Sequence, residues 1–244
     1  MTDIEKLASL IEECDKIVFF GGAGVSTESN IPDFRSVDGL YNQKYKYPPE
    51  TILSHEFFKK KTEEFYDFYR DKMLFPDALP NDAHKFLASL EERGKLLGVI
   101  TQNIDGLHQK AGNKKVYELH GSVHRNYCMK CHKFYSMADI MKSEERVPHC
   151  SCGGIIKPDV VLYGESLDEE CIVKSLDILE KADLLIVGGT SLNVYPAAGF
   201  LNYFGGEHIV LINKSETFLT DRAEISINKK IGETFREVSR ILGY

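Results

Sequence analysis

No stretch of this 244-residue chain approaches the ~20 consecutive apolar residues of a membrane helix, so a membrane-spanning protein is not expected. A positive excess is lacking too. Thirty Lys and Arg against 37 Asp and Glu leave a net charge of −7, and without a basic face direct nucleic-acid binding is not expected. The opening residues, Met1-Thr2-Asp3-Ile4-Glu5, have neither the basic start nor the apolar core of a secretory or transit signal. A cytoplasmic protein is therefore expected. No internal repeat and no low-complexity tract interrupts the chain. Its hydrophobic fraction of 43% suits one α/β domain, or a domain with a small insert.

Six cysteines are present. Cys14 and Cys171 stand alone in helical patterns and are expected to be buried or inert. Cys128, Cys131, Cys150 and Cys152 form C-x2-C, an 18-residue gap and C-x-C. In a cytosolic chain such a cluster reads as a metal site rather than as disulfides. Four thiolates at this spacing suit tetrahedral zinc. The second knuckle is one residue short, and the following Gly153 and Gly154 can relieve the strain. His132 and His149 are nearby spare ligands. With every ligand from protein and no open position, the zinc is expected to be structural.

The stretch Gly21 to Arg35, GGAGVSTESNIPDFR, follows the apolar run Ile17-Val18-Phe19-Phe20, which has strand composition. Gly22 and Gly24 allow a tight turn and close approach of a ligand, and Val25 to Ser29 can start a helix whose amides face a phosphate. Strand, glycine turn and helix start form the dinucleotide cradle of a Rossmann-type sheet. A standard hydride-transferring dehydrogenase is disfavoured by two further absences. Thr27 stands at the third glycine of G-x-G-x-x-G, and no acidic residue closes a second strand about 20 residues on.

Along the rest of the chain, strand and helix patterns alternate, so a doubly wound parallel sheet is expected. Helices are expected over 2–14, 53–74, 82–93, 169–181, 196–204 and 229–242, that over 82–93 capped by Pro80-Asn81-Asp82 and ended by Gly94. The aromatics of 53–74 read as core. At the carboxyl end of the strand Leu96–Ile100 lies Thr101-Gln102-Asn103-Ile104-Asp105-Gly106-Leu107-His108. Such ends are where ligands bind in open α/β sheets, and Gln, Asn and Asp there offer hydrogen bonds to an amide or a ribose. His120 closes another short strand on the same edge and is a natural general base near neutral pH. His108 reads as structural.

The stretch from 22 to 35 resembles the signature of the sirtuins, the NAD-dependent protein deacylases: G-A-G-x-S, three variable residues, then G-I-P-D-F-R. The match holds at Gly22, Ala23, Gly24, Ser26, Ile31, Pro32, Asp33, Phe34 and Arg35 and departs at Asn30, where the family usually has Gly. Asn is among the residues that best tolerate positive φ. The resemblance extends to 101–108, His120-Gly121, the zinc cluster, 158–165, 189–192 and 211–213. It implies a Rossmann NAD-binding domain over 1–35, 75–121 and 158–244, a cofactor-binding loop and helical segment over 36–74, and a zinc module over 122–157. It implies further that Gly22, Ala23, Gly24, Thr27, Arg35 and Gln102 bind NAD. Phe34, Ile104 and Asp105 would line the nicotinamide pocket with Asn103 beside them, and Asn103 would be catalytic together with His120. Thr190 and Ser191 would hold phosphate or ribose, Asn213 the adenosine ribose and Ile231 the adenine. Val161, Tyr163 and Gly164 would flank the acyl-lysine.

The chemistry so implied consumes NAD. The acyl oxygen of the substrate lysine attacks C1′ of the nicotinamide ribose, nicotinamide leaves, and His120 as base activates a ribose hydroxyl. The lysine is released with an O-acyl-ADP-ribose. Expected partners are acetyl-lysine proteins or peptides, and a monomer is expected. Mono-ADP-ribosyl transfer on the same fold, or removal of longer neutral acyl groups, is the alternative. Family members that remove succinyl groups carry a Tyr and, three residues on, an Arg. Here Tyr66 is followed by Tyr69 at that position, with Arg70 one further and Asp67 between. Neutral acyl groups, acetyl first, are therefore expected.

Overall fold

Thr2 and Glu5 form a capping box, and Leu7, Ala8, Leu10 and Ile11 bury one stripe, which together produce the first helix, α1 (Asp3–Glu13). The computed structural model describes residues 1–33 and 46–244. After α1 the chain enters β1 (Ile17–Gly21), buried throughout. The glycine turn leads into a 3-10 segment, Ala23–Ser29, rather than the expected start of an α-helix. Asn30 ends it at φ 62°, the left-handed position for which Asn is suited.

Three short helices follow: α2 (Pro49–Ile52), α3 (His55–Lys60) and α4 (Thr62–Lys72). The single helix expected over 53–74 is thus broken. Ser54 caps α3 by accepting from the amide of Phe57, and Lys61, at φ −140° and ψ 54°, separates α3 from α4. Asn81 caps α5 (Asp82–Glu92) as expected, and Gly94, at φ +76°, lies just past its end.

The remaining elements are β2 (Leu96–Thr101), α6 (Leu107–Ala111), β3 (Val116–Glu118), β4 (Gly121–Cys128), β5 (Phe134–Ser136), α7 (Met137–Lys142) and β6 (Ile156–Val160). Then come α8 (Glu169–Lys181), β7 (Leu184–Gly188), a 3-10 turn over Ala197–Tyr203, β8 (His208–Ile212), β9 (Ile225–Ile227) and α9 (Ile231–Leu242). Among the described residues no helix is long and apolar enough to cross a membrane.

The larger sheet runs β3-β2-β1-β7-β8-β9, and every pairing in it is parallel. Alternation along β1 supplies both layers. Ile17 and Phe19 face the core under α1, α5 and α9, while Val18 and Phe20 face the core under α8 and the 197–203 turn. The strand order reverses at β1, with β2 on one side and β7 on the other. Gly21 is in register with Thr101 and with Gly188, so three carboxyl ends finish level and open one crevice.

A smaller antiparallel sheet, β5-β4-β6, carries the cysteine-rich segment. The boundary expected after 157 falls inside β6. The aromatics of α3 and α4, namely Phe57, Phe58, Phe65, Tyr66, Phe68 and Tyr69, are buried against Val123, Cys128, Ile140 and Ile156 of this sheet and its flanks. Their reading as core holds.

Candidate functional site

The crevice begins with the glycine turn. The amide of Gly22 donates to Gly188 O (3.3 Å) and that of Gly24 to Gly189 O (2.8 Å). A Cβ on Gly24 would lie 2.8 Å from the Gly189 backbone. These glycines are therefore required first by the contact of two chain turns, and the ligand-facing surface is a product of that contact.

A cavity of about 470 Å³ lies over the strand ends. Its walls take Gly22, Ala23, Gly24 and Thr27 from the turn after β1, and Gln102, Asn103, Ile104 and Asp105 from the end of β2. His120 comes from the turn just before β4, and Val161, Tyr163 and Gly164 from the segment after β6. Thr190 and Ser191 follow β7, Asn213 follows β8, and Ile231 opens α9. Residues separated by more than two hundred positions, from Gly22 to Ile231, thus meet around one space. Phe34 and Arg35 lie outside the described residues.

Hydrogen bonds lock the polar groups. Ser26 Oγ donates to Asp105 Oδ2 (2.6 Å) and accepts from Asn103 Nδ2 (3.1 Å). Asp105 Oδ1 also accepts from the amide of Leu107 (2.9 Å). Burial raises the Asp105 pKa, against the opposing bonds from Ser26 and Leu107. Gln102 Nε2 donates to Thr190 Oγ1 (3.0 Å), and Asn213 Nδ2 to the carbonyl of Thr190 (3.1 Å), which ties the ends of β2, β7 and β8 together. Ser26 is the member that residue-by-residue assignment missed. Its signal was its place in the G-A-G-x-S match.

His120 Nδ1 lies 3.0 Å from the carbonyl of Gln102. A carbonyl only accepts, so Nδ1 carries the proton and Nε2 of the neutral ring keeps its lone pair. Burial lowers the His120 pKa below 6.5, partly offset by that same bond, so the ring is neutral at pH 7. Gly121 follows at φ +76°, and a Cβ there would sit 1.9 Å from Asp159 O. Gly121→Ala is expected to force β4 and β6 apart beside His120. Both melting temperature and turnover should fall, by roughly 1–3 kcal/mol in stability, as a thermal melt would read.

His108 does not border the cavity. It is buried between Phe19 and His84, the two imidazole centroids 4.7 Å apart, which agrees with a structural role. Tyr66 and Arg70 are also elsewhere. Tyr66 is fully buried, with its hydroxyl donating to the carbonyl of Ile156, and Arg70 donates to the carbonyl of Glu145 (2.8 Å).

The four cysteine sulfurs lie within 4.8 Å of one another. Cys128 and Cys152 Sγ are 3.5 Å apart, and Cys131 and Cys150 Sγ 3.6 Å. Zn–S bonds of ~2.3 Å in a tetrahedron put sulfurs about 3.8 Å apart, so the donor set fits zinc. Amides of Lys130 and Cys131 point at Cys128 Sγ (3.4 and 3.5 Å), as suits a thiolate. Gly153, at φ +80°, turns the short second knuckle, and a Cβ on Gly154 would strike Cys128 Sγ at 2.7 Å. His149 is paired with Glu145 and is not part of the cluster.

The Sir2 family model matches residues 22–196, from the glycine turn across the cysteine cluster to the loop after β7. The chain belongs to the Sir2 family. A relative from Clostridium acetobutylicum, named NAD-dependent protein deacetylase, is 58% identical over 238 residues, covering 96% of this chain and 97% of its own. Among solved structures, a Sir2 with deacetylated p53 peptide and 3′-O-acetyl-ADP-ribose superposes with a TM-score of 0.91 at 40% identity, covering 99% of both chains. A Sir2 with p53 peptide and NAD+ gives 0.88 at 40% identity, covering 100% of this chain and 99% of its own. The Rossmann-type sheet with its cysteine-bearing insert is thus the Sir2 fold, as the sequence motifs implied.

Proposed function

We propose that this Sir2-family protein is an NAD-dependent protein lysine deacetylase, acting in the cytoplasm on acetyl-lysine proteins. The observation that carries the reading is His120. Its Nδ1 is held by a backbone carbonyl, its Nε2 is left basic, and its ring shares one cavity with the glycine turn. NAD as co-substrate supplies a cleavable nicotinamide–ribose bond and, in ADP-ribose, an acceptor for the acetyl group.

The chain's own residues divide the remaining work. The turn Gly22–Thr27, with Gln102, Thr190 and Ser191, binds phosphates and ribose, while Asn213 and Ile231 hold the adenosine end. Asn103, Ile104 and Asp105 surround the nicotinamide, and Ser26 fixes Asn103 and Asp105 in place. Val161, Tyr163 and Gly164 flank the acyl-lysine. His120 Nε2 takes the proton from a ribose hydroxyl. The four cysteines hold zinc away from this cavity, none of them bordering it, and the metal's contribution is to hold β4, β5 and β6 together.

The test is a mass measurement on an acetyl-lysine peptide incubated with protein, with and without NAD. Loss of acetyl only with NAD supports the reading. A peptide that gains ADP-ribose would instead mark a transferase.

Acyl choice follows from the same cavity. Arg70 and Tyr66 are engaged with the cysteine-bearing insert, and Lys72, at the rim, lies 3.0 Å from Asp71. The other cations among the described residues that border the cavity, Lys214, Lys229 and Lys230, are the chain neighbours of Asn213 and Ile231, at the end assigned to adenosine. An acetyl-lysine peptide is expected to exceed the matched succinyl peptide in kcat/KM by at least ~tenfold, the effect of leaving a carboxylate unpaired in a partly dry site. A succinyl preference would show that a cation does reach the acyl group.

A further inference from the structure

The carboxylate of Glu165 joins three parts of the chain beside the cavity. Its side chain is 19% exposed. Oε1 lies 2.7 Å from His55 Nδ1 at the start of α3. Oε2 accepts from the amide of Leu162 (2.9 Å) and from Lys157 Nζ on β6 (3.1 Å). Lys157 in turn donates to the carbonyls of Pro158 (3.2 Å) and Val160 (3.1 Å).

Between Lys157 and Glu165 runs the cavity wall Val161–Gly164. Its backbone is already tied on the inner side. Val161 donates to the carbonyl of His120 (3.0 Å), Tyr163 donates to that of Leu53 (2.9 Å), and the amide of His55 donates to Tyr163 O (3.0 Å). Gly164 then turns at φ +90° and carries Glu165 back over the segment. A carboxylate this buried is costly unless fully engaged. Here it is engaged with partners from β6, from the wall itself and from α3, the elements whose spacing sets where the wall stands. A wall held only by its backbone bonds would need no such group.

We propose that Glu165 is a positioning residue for the peptide substrate. It holds the Val161–Gly164 edge at a fixed place between β6 and α3, so that an extended acyl-lysine peptide adds to a preformed strand edge. Preformed edges bind better because less ordering is left to do on binding. This rests on the deacetylase reading given under Proposed function.

The test titrates a fluorescently labelled acetyl-lysine peptide and, separately, NAD onto the wild type, Glu165→Ala, Glu165→Gln and His55→Gln, and measures both KM values. Glu165→Ala is expected to raise peptide Kd and KM at least ~tenfold, and Glu165→Gln, which keeps an acceptor for Leu162, about threefold. His55→Gln should move the peptide constants in the same direction by less. The KM for NAD should stay within about twofold, with zinc content and melting temperature retained. An unchanged peptide Kd in a folded Glu165→Ala, or equal rises for peptide and NAD, would overturn the proposal. If Glu165→Ala does not fold, Glu165→Gln and His55→Gln carry the same reading. A wild type that binds no acetyl-lysine peptide would fail the functional reading itself, a result distinct from the failure of Glu165 alone.

Discussion

Replacing His120 by Ala is expected to lower deacetylation by ~10² to 10⁴-fold, the range a positioned general base contributes. The fold should survive. His120 sits in the turn just before β4, and its side chain bonds the carbonyl of Gln102, another residue of the cavity wall. NAD binding should be retained, because the turn, Gln102 and Thr190 keep their contacts without it. The pH profile carries the same assignment. Burial holds the His120 pKa below 6.5, so the base is neutral and competent at pH 7, and activity falls on the acid side as pH drops through that lowered value. A variant with near-normal turnover, or a wild type whose acid limb lies well above the ordinary histidine range, would remove His120 from the mechanism.

The second large effect concerns the metal. Cys131→Ser should abolish zinc binding, for which structural sites show binding free energies on the order of 10 kcal/mol, and should unfold at least the β4-β5-β6 unit. The damage should spread further. Cys128 and Cys150 belong to the same buried cluster as Phe58, Phe65, Tyr66 and Tyr69, so α3 and α4 lose their support when the knuckles open. Val161–Gly164 is tied to α3 through Tyr163, which links the metal to activity by structure rather than by chemistry. Metal analysis of the purified protein should find zinc, and a chelator should lower the melting temperature and the activity together. A protein free of zinc, melting unchanged in Cys131→Ser, would reject this account of the cluster.

Much of this architecture was legible in the chain. The apolar runs of β1, β2, β7 and β8 and the amphipathic stripes of α1, α5, α8 and α9 carry strong periodicity, because each faces a dry core on one or both sides. The Asn81 cap and Gly94 were readable from their chemistry, and so was the left-handed Asn30. The positions that the short motifs assigned to NAD and the acyl-lysine, where they fall among the described residues, border one cavity.

What could not be read has physical causes. The β4 strand, Gly121–Cys128, exposes His124 and Tyr127 and buries Asn126, so its polar sequence hides the period of two. The break at Lys61 comes from a backbone conformation without a proline or glycine to announce it. Arg70 lies on the helix face of Tyr66, as its four-residue spacing allows. Only the tertiary packing shows that this face meets the cysteine-bearing insert rather than the cavity. The Glu165 clamp joins positions 55, 157 and 165, which no local pattern connects.

The most direct test of the central claim is a product balance by mass spectrometry, with one acetyl-lysine peptide and NAD. The account predicts that each acetyl group lost from the peptide is matched by one nicotinamide released and one acetyl group found on ADP-ribose, with no reduced NAD formed. Acetyl appearing as free acetate from the outset with NAD intact, or ADP-ribose accumulating on the peptide while its acetyl group stays in place, would contradict it.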